Sequence, residues 1–165
     1  MSDYYDALET RSAAAREADL FERLPAQVAH ARDRTEAFAE LLAGVDPAQV
    51  RDRAALARLP VLRKSALLER QKASRAAGGD ALGGFSAVGY GAAMRRVFGS
   101  PGPLYEPEGT ASDYWRLARA MYAAGFRPGE LIHNSFSYHF VPAGSMMETG
   151  AHALGCTVFP GGTGQ

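Results

Sequence analysis

Residues 131–165 read LIHNSFSYHFVPAGSMMETGAHALGCTVFPGGTGQ, and this segment decides the fold class of the chain. A short apolar run (LIH) leads into an aromatic loop, then a run of small residues, then a second apolar run (CTVFP). The small residues predict a helix over residues 143–154, which Gly155 ends. A strand, a helix and a strand with short connections predict an α/β fold with parallel strands and right-handed crossovers.

The preceding residues extend this pattern. MRRVFGS is a short strand candidate, whereas SPGPLYEPEGT is too rich in proline and glycine for a regular element. A helix is predicted from Asp113, with Ser112 as its cap and Gly125 at its end. This helix and the strand at residues 130–134 add a further unit to the predicted sheet.

The N-terminal part of the chain is predicted to be helical. Residues 12–43 indicate two helices that meet between Leu24 and Pro25, with Pro25 in a first turn. A later helix begins near Lys64, with Ser65 as a candidate cap. We expect a helical region at 1–75, a glycine-rich connection and short strand at 76–98, and an α/β portion at 99–165, together forming one structural domain.

Composition excludes several classes of protein. Basic and acidic residues balance at 18 each, so no overall charge favours nucleic acid. No run of about 18 apolar residues is present, and the acidic, polar N-terminus does not resemble a signal peptide. The single cysteine, Cys156, excludes an internal disulfide. We expect a cytoplasmic protein that binds neither nucleic acid nor membrane.

Two loops are candidate ligand-binding segments. Aromatic residues 136–140 follow a strand, and ligands of open α/β sheets bind beyond the carboxyl ends of strands. The aromatic side chains predict either a pocket for an apolar or aryl group or a hydrophobic plug between layers. Residues 100–110 lie where a phosphate-binding loop is expected, but three prolines and two carboxylates make a rigid surface loop equally consistent.

Other patterns give weaker signals. The closing GGTGQ would need a following helix to form a dinucleotide-binding motif. His133, His139 and His152 do not have the spacing of metal ligands, and we therefore predict no metal site.

Taken together, these segments resemble the N-terminal part of the phenylacetate–coenzyme A ligase family, within the adenylate-forming superfamily. The likeness is carried by YYDALETR, LPAQVAHAR, FAELLAGVDPAQV and LARLPVLRKSALLERQ. It is strongest in RAMYAAGFRPGELIHNSFSYHFVPAG and GAHALGCTVFPGGTGQ. The resemblance implies an incomplete adenylate-forming N-terminal domain, with a helical N-terminal region before the first strand–helix–strand units of a parallel sheet.

The resemblance also implies a chemistry and a set of site residues. Family members use ATP and magnesium to join a carboxylate to AMP, and then transfer the acyl group to coenzyme A. The substrate here would be a small aryl or acyl carboxylic acid. The resemblance places its pocket at Phe136, Tyr138, His139, Val141 and Gly144, and places nucleotide contacts at Ser100, Gly102 and Gly109.

The chain departs from the family in two respects. FGSPGPLYEPEGT lacks the hydroxyl-rich run and the lysine of the usual phosphate loop. The resemblance covers roughly the first third of a family enzyme, so the adenine-binding, hinge and catalytic-lysine motifs would lie beyond Gln165. We therefore expect no catalytic residue and no tight binding of ATP, magnesium or coenzyme A by this chain alone. The alternative is a stand-alone, non-catalytic binding module. In either case we expect a homo-oligomer that pairs through an exposed sheet edge.

Overall fold

The structure is a computed structural model that describes residues 3–164. These residues divide into two compact units. Residues 11–89 form a helical unit, and residues 90–164 together with 3–10 form an α/β unit. Each unit has its own apolar core, so each is described by itself.

The helical unit contains α1 (Ala13–Arg34), α2 (Glu36–Leu41), α3 (Arg53–Ala57) and α4 (Lys64–Ala76), with a 3-10 turn at Pro47–Gln49. Side-chain oxygens of Ser12, Thr35 and Asp52 accept backbone N–H groups at the starts of α1, α2 and α3. These bonds satisfy donors that a helix start leaves without partners. The core of the unit consists of Val28, Leu42, Val50 and Ala55.

Two predictions for this unit are wrong. Pro25 lies inside the continuous helix α1 and does not begin a second one. The missing N–H of a proline removes one helical bond, and the 22-residue helix continues through it to bury Val28. The break comes at Thr35, whose backbone is extended. Ser65 is likewise not a cap, because α4 begins at Lys64 after Arg63 and has no side-chain cap.

The α/β unit contains β1 (Met94–Ser100), β2 (Leu104–Gly109), α5 (Ala118–Ala123), β3 (Leu131–His133), α6 (Ala143–Leu154) and β4 (Thr157–Phe159). Strands β3 and β4 pair in parallel, with Ile132 opposite Val158. The core packs α5 and α6 against these strands through Ala118, Met121, Tyr122, Ile132, Ala151, Leu154 and Cys156. The predicted strand–helix–strand unit is confirmed, including the left-handed Gly155 that ends α6.

Residues 100–110 form the turn and the second strand of a hairpin and not the irregular loop that their composition predicts. Strand β2 pairs antiparallel with β1, and Pro107 lies opposite Val97. A two-stranded sheet has no central strand, so a residue without an N–H is tolerated there. Gly102, with a φ of 127°, allows the chain to reverse between the strands.

Helix α5 is shorter than predicted, because it begins at Ala118 and not at Asp113. The Asp113 carboxylate accepts the backbone N–H groups of Leu117 and Ala118, at 2.8 and 3.1 Å. Arg116, in between, has a left-handed φ of 58° that interrupts helical geometry. Gly125 follows the helix with a φ of 105°, as predicted.

Candidate functional site

Asn134 organises the aromatic loop between β3 and α6. This buried residue donates from Nδ2 to the Tyr138 hydroxyl at 2.7 Å and to the Gly144 carbonyl at 2.9 Å. Its Oδ1 accepts the backbone N–H of Phe136 at 3.1 Å. A single amide therefore fixes both ends of the loop. Sequence reasoning missed Asn134, although an amide directly after a strand is a common turn-forming signal.

Gly144 lets helix α6 begin against the Tyr138 ring. A Cβ at this position would lie 2.7 Å from the Ser137 carbonyl oxygen and 2.9 Å from Tyr138 Cγ. Both distances are shorter than a van der Waals contact allows. The Gly144 N–H donates to the same Ser137 carbonyl at 2.9 Å. The absence of a side chain at Gly144 therefore sets the position of Tyr138.

Tyr138 lies on the wall of a cleft of about 290 Å³. Its hydroxyl accepts a hydrogen bond from Asn134 and lies near the Glu148 carboxylate on α6. Burial, assisted by the Glu148 carboxylate, raises the pKa of Tyr138 to about 12. The phenol is therefore a neutral hydrogen-bonding group at physiological pH. The cleft is lined by Arg96, Phe98, Tyr138, Ser145, Glu148 and Pro160.

A buried carboxylate lies behind this cleft. Glu108 on β2 is fully buried and accepts hydrogen bonds from Arg96 Nη1 at 2.6 Å and Ser145 Oγ at 2.5 Å. The Trp115 indole N–H donates to it at 3.0 Å. Burial opposes ionisation, but the hydrogen bonds from Ser145, Trp115 and Arg96 outweigh it and lower the pKa of Glu108 below its ordinary value. The carboxylate is therefore charged and held from three sides.

The structure does not bring all the predicted pocket residues into one cavity. Phe136, about half exposed, lines another cavity of about 150 Å³ together with Phe126, Met147 and Val158. The His139 side chain is exposed, and Val141 is half-buried. The hydrophobic-plug alternative receives no support from Phe140, which is 84% exposed. Tyr138 and Gly144 are therefore the predicted residues that lie together beside the cleft.

The three residues predicted to contact the nucleotide lie along the hairpin. Ser100 ends β1, and its hydroxyl donates to the Glu106 carboxylate. Gly102 lies in the exposed turn, flanked by Pro101 and Pro103. Gly109 ends β2, and a Cβ there would lie 2.9 Å from the Tyr114 ring. Their arrangement provides few free donors for a phosphate, because prolines lack an N–H and the serine hydroxyl is already engaged.

Of the residues of the cleft and its rear wall, the sequence predicted Tyr138 and missed Arg96, Phe98, Glu108, Ser145, Glu148 and Pro160. Arg96 and Phe98 alternate along β1, which is the spacing of residues on one face of a strand. Glu108 belongs to the Glu-Pro-Glu segment whose hairpin structure was not predicted, and Glu148 lies in the predicted helix α6. The missing signal was the pairing of β1 with β2, which places Arg96 opposite Glu108.

Other candidate groups play no part in this site. Burial raises the pKa of the Cys156 thiol, which donates to the Arg127 carbonyl at 3.1 Å. His133 packs edge-on against Phe159, with ring centroids 5.3 Å apart. Within residues 3–164, no group of three or more His, Cys, Asp or Glu side chains is placed to hold a metal ion. No helix in this range has the length and apolar character needed to span a membrane.

The fold and the cleft define a class of protein. No protein-family model matches the chain. Crystal structures of 2-hydroxyisobutyryl-CoA ligase are similar to it. The ligase in the postadenylation state with 2-HIB-AMP matches 99% of the chain at a TM-score of 0.85 and 26% identity. An open conformation with 2-HIB-AMP and CoA matches 99% of the chain at 0.84 and 26%. The chain thus has the fold of the N-terminal part of an adenylate-forming ligase.

Sequence similarity narrows this class to a family. The phenylacetate-coenzyme A ligase of Thermus thermophilus is 32% identical over 152 residues, which is 84% of this chain. The chain therefore belongs to the phenylacetate–coenzyme A ligase family and corresponds to its N-terminal part. It spans 31% of that relative and 35% of the ligase in the postadenylation state.

Proposed function

We propose that this chain contributes part of the carboxylate-binding pocket of an AMP-forming acid–CoA ligase. The observation that carries the proposal is the match of nearly the whole chain to a ligase bound to an acyl-adenylate. The cleft beside Tyr138 supports it, because its volume is at the lower end of the range for small-molecule sites. The proposed ligand is a small aryl or acyl carboxylic acid.

The residues of the chain hold the acid and do not activate it. Phe98, Tyr138 and Pro160 provide apolar walls, and the neutral Tyr138 phenol provides a hydrogen-bonding group at one edge. ATP, with magnesium, supplies the AMP to which such an acid is joined, and coenzyme A accepts the acyl group afterwards. The role of this chain is to orient the acid and to keep water away from the apolar portion of the acid.

The hairpin fits the phosphates of ATP poorly. Two prolines flank its turn, and Glu106 adds a negative charge beside the Ser100 hydroxyl. A phosphate site of the usual kind needs clustered N–H donors and often a lysine. The role of Ser100, Gly102 and Gly109 in nucleotide binding therefore stays a prediction. We assign the hairpin no step with ATP or magnesium.

Self-association is a second part of the proposal. Leu131 and Phe159 on the β3–β4 sheet are 71% and 58% exposed. Apolar side chains on a short, uncovered sheet favour pairing with another copy. Light scattering coupled to size-exclusion chromatography should give a dimer mass that falls when both residues are replaced by glutamate. A monomer at every concentration would exclude this part of the proposal.

Grafting tests the main proposal. Residues 3–164 replace the matching part of 2-hydroxyisobutyryl-CoA ligase, and acid-dependent exchange between ATP and pyrophosphate is measured over a panel of aryl and acyl acids. We expect exchange with at least one acid. Tyr138→Ala in the same graft should lower kcat/KM for that acid about tenfold, which corresponds to roughly 1.4 kcal/mol.

Phe140→Ala is the matched control, because its aromatic side chain lies in the same loop and is 84% exposed. It should leave exchange within about twofold, an effect of roughly 0.4 kcal/mol. A folded graft without exchange for any acid would contradict the proposal and favour the non-catalytic binding module. Equal losses for Tyr138→Ala and Phe140→Ala would locate the acid outside the cleft.

A further inference from the structure

Arg96 lines the cleft with a partly exposed side chain. Its Nη1 donates to Glu108 at 2.6 Å and to Ser145 at 3.2 Å. The side chain is 45% exposed, and its Nε and Nη2 donate no hydrogen bond to any other residue between positions 3 and 164. The guanidinium therefore keeps donors for a ligand while being held at its rear.

Glu108 makes this orientation rigid. Its carboxylate is fully buried and also accepts from Trp115 and Ser145, which lie on different elements. A buried carboxylate bound from several directions cannot rotate without losing hydrogen bonds that are costly to leave unmade. Arg96 is thus fixed in the cleft wall before any ligand arrives, which reduces the entropic cost of binding.

Glu148 gives the same cleft a second charged group of opposite sign. It lies on α6 among the residues that line the cleft, near the Tyr138 phenol. A carboxylate has about four acceptor positions, so Glu148 has capacity for a ligand donor. The cleft therefore offers a cation with free donors and an anion with free acceptors, between the rings of Phe98 and Tyr138.

We propose that the cleft selects a small carboxylic acid that carries a hydroxyl or amino group near its carboxylate. Arg96 pairs with the carboxylate, and Glu148 accepts a hydrogen bond from the hydroxyl or amino group. The proposal rests on the proposed function, since it names the class of acid that the pocket takes. It adds Arg96 and Glu148 as specificity-determining residues, with Glu108 as the residue that positions Arg96.

Charge favours a carboxylate over a phosphate as the group bound by Arg96. A doubly charged phosphate would face one guanidinium together with the carboxylates of Glu108 and Glu148. Like charges at this range repel the ligand. A singly charged acid meets less of this repulsion, and its own hydroxyl or amino donor offsets part of it at Glu148. The size of the cleft, about 290 Å³, also suits a small acid.

Calorimetric titration of the 165-residue chain with two acids tests the proposal. Mandelate and phenylacetate share a phenyl ring and a carboxylate and differ by one hydroxyl. A hydrogen bond to a charged acceptor is stronger than one between neutral groups, so mandelate should bind at least about tenfold more tightly, or roughly 1.4 kcal/mol. Equal affinities, or tighter binding of phenylacetate, would overturn the hydroxyl contact.

Variants separate the two contacts. Arg96→Gln should weaken both acids at least about tenfold, an effect of roughly 1.4 kcal/mol, because it removes the charge while keeping an amide donor for Glu108. Glu148→Gln should reduce the preference for mandelate to less than about threefold, or 0.7 kcal/mol, and phenylacetate should bind no more weakly than before, because a repelling charge is removed. Arg95→Gln is the matched control, because the neighbouring Arg95 is exposed and lies outside the cleft-lining set. It should change neither affinity.

Three further outcomes bear on the proposal: a loss of stability in Arg96→Gln, a preference for another ligand, and binding of phenylacetate without a preference for mandelate. If Arg96→Gln lowers the thermal midpoint, Arg96→Lys, which keeps the charge, should restore mandelate binding at a temperature where both variants are folded. Failure of that rescue in a folded protein would overturn the role of Arg96. Binding of AMP or inorganic phosphate in preference to both acids would overturn the choice of a carboxylate. Phenylacetate binding without a preference for mandelate would leave the proposed function standing and remove only this inference.

Discussion

The β1–β2 hairpin and the aromatic loop after β3 both belong to the α/β unit, yet they use their polar groups differently. In the hairpin, Ser100 bonds Glu106, and Glu108 is enclosed by Arg96, Trp115 and Ser145. In the aromatic loop, the buried Asn134 satisfies the backbone and leaves Tyr138 at the cleft. Apart from Arg96, the hairpin engages these polar groups within the protein, whereas the loop directs a side chain toward a ligand space.

This difference shows how neighbouring segments can divide support and recognition. The hairpin holds Arg96 from behind through a buried charge, and the loop supplies the ring that faces it across the cleft. Changes in the hairpin behind Arg96 should therefore act on stability first. Changes in the loop should act on ligand binding at a smaller cost in stability.

The largest expected effect is that of Glu108→Ala. The substitution leaves the donors of Ser145 and Trp115 without their acceptor, at about 1–3 kcal/mol each, whereas the 45% exposed Arg96 can be solvated. Urea denaturation should show this loss in the free energy of unfolding. Glu106→Ala is the control in the same strand, because Glu106 is half-buried and, among residues 3–164, bonds only Ser100. It should cost less than about 1 kcal/mol. Similar losses of unfolding free energy for Glu108→Ala and Glu106→Ala would show that the buried Glu108 supports the fold no more than the half-buried Glu106.

Gly144→Ala tests the loop side of the comparison. The new Cβ would meet the Ser137 carbonyl oxygen and the Tyr138 ring at less than 3.0 Å. We expect a loss of about 1–3 kcal/mol together with weaker acid binding, since Tyr138 must move. Gly99→Ala is the control, because open space surrounds a Cβ there and its φ is not left-handed. A stable Gly144→Ala variant with unchanged affinity for the acid would show that this contact does not fix the position of the Tyr138 ring.

The pH dependence of stability should reveal the Glu108 network. The pKa of Glu108 in the folded protein lies below its ordinary value of 4.5. Its contribution is therefore fully present above that value and is lost as the pH falls through the folded-state pKa. Denaturation curves at a series of pH values should show a loss of stability on acidification that is smaller in Glu108→Gln. If the unchanged chain and Glu108→Gln lose stability equally on acidification, the hydrogen bonds of Glu108 do not stabilise the fold as described.

The smallest effect is expected from Tyr138 ionisation. Its folded pKa, raised to about 12, means that its phenol contributes stability below its ordinary pKa of 10.0 and loses it as the pH rises through 12. The ultraviolet absorbance of tyrosinate should therefore contain a late component that Tyr138→Phe removes. If Tyr138→Phe instead removes a component near the ordinary pKa of 10.0, the Tyr138 phenol is exposed to water and not buried.

The sequence predicted the loop and missed the hairpin for physical reasons. Helix α6, its Gly155 end and strand β4 depend on local signals, namely small residues, a left-handed glycine and an apolar run. The hairpin depends on a pairing between strands, which its prolines obscured. Arg96 and Glu108 meet only through that pairing, so no local pattern indicated them as partners. The continuous helix through Pro25 was missed because tertiary packing overrode a local preference.

Anomalous diffraction from bromine tests the central claim most directly. Crystals of the chain soaked with 4-bromophenylacetate and with 4-bromomandelate would locate the acid by its bromine atom. We expect a bromine peak between Phe98, Tyr138 and Pro160, with the carboxylate toward Arg96. A peak only beside the hairpin turn, or only in the cleft of about 300 Å³ lined by Glu40 and Arg70 in the helical unit, would contradict it.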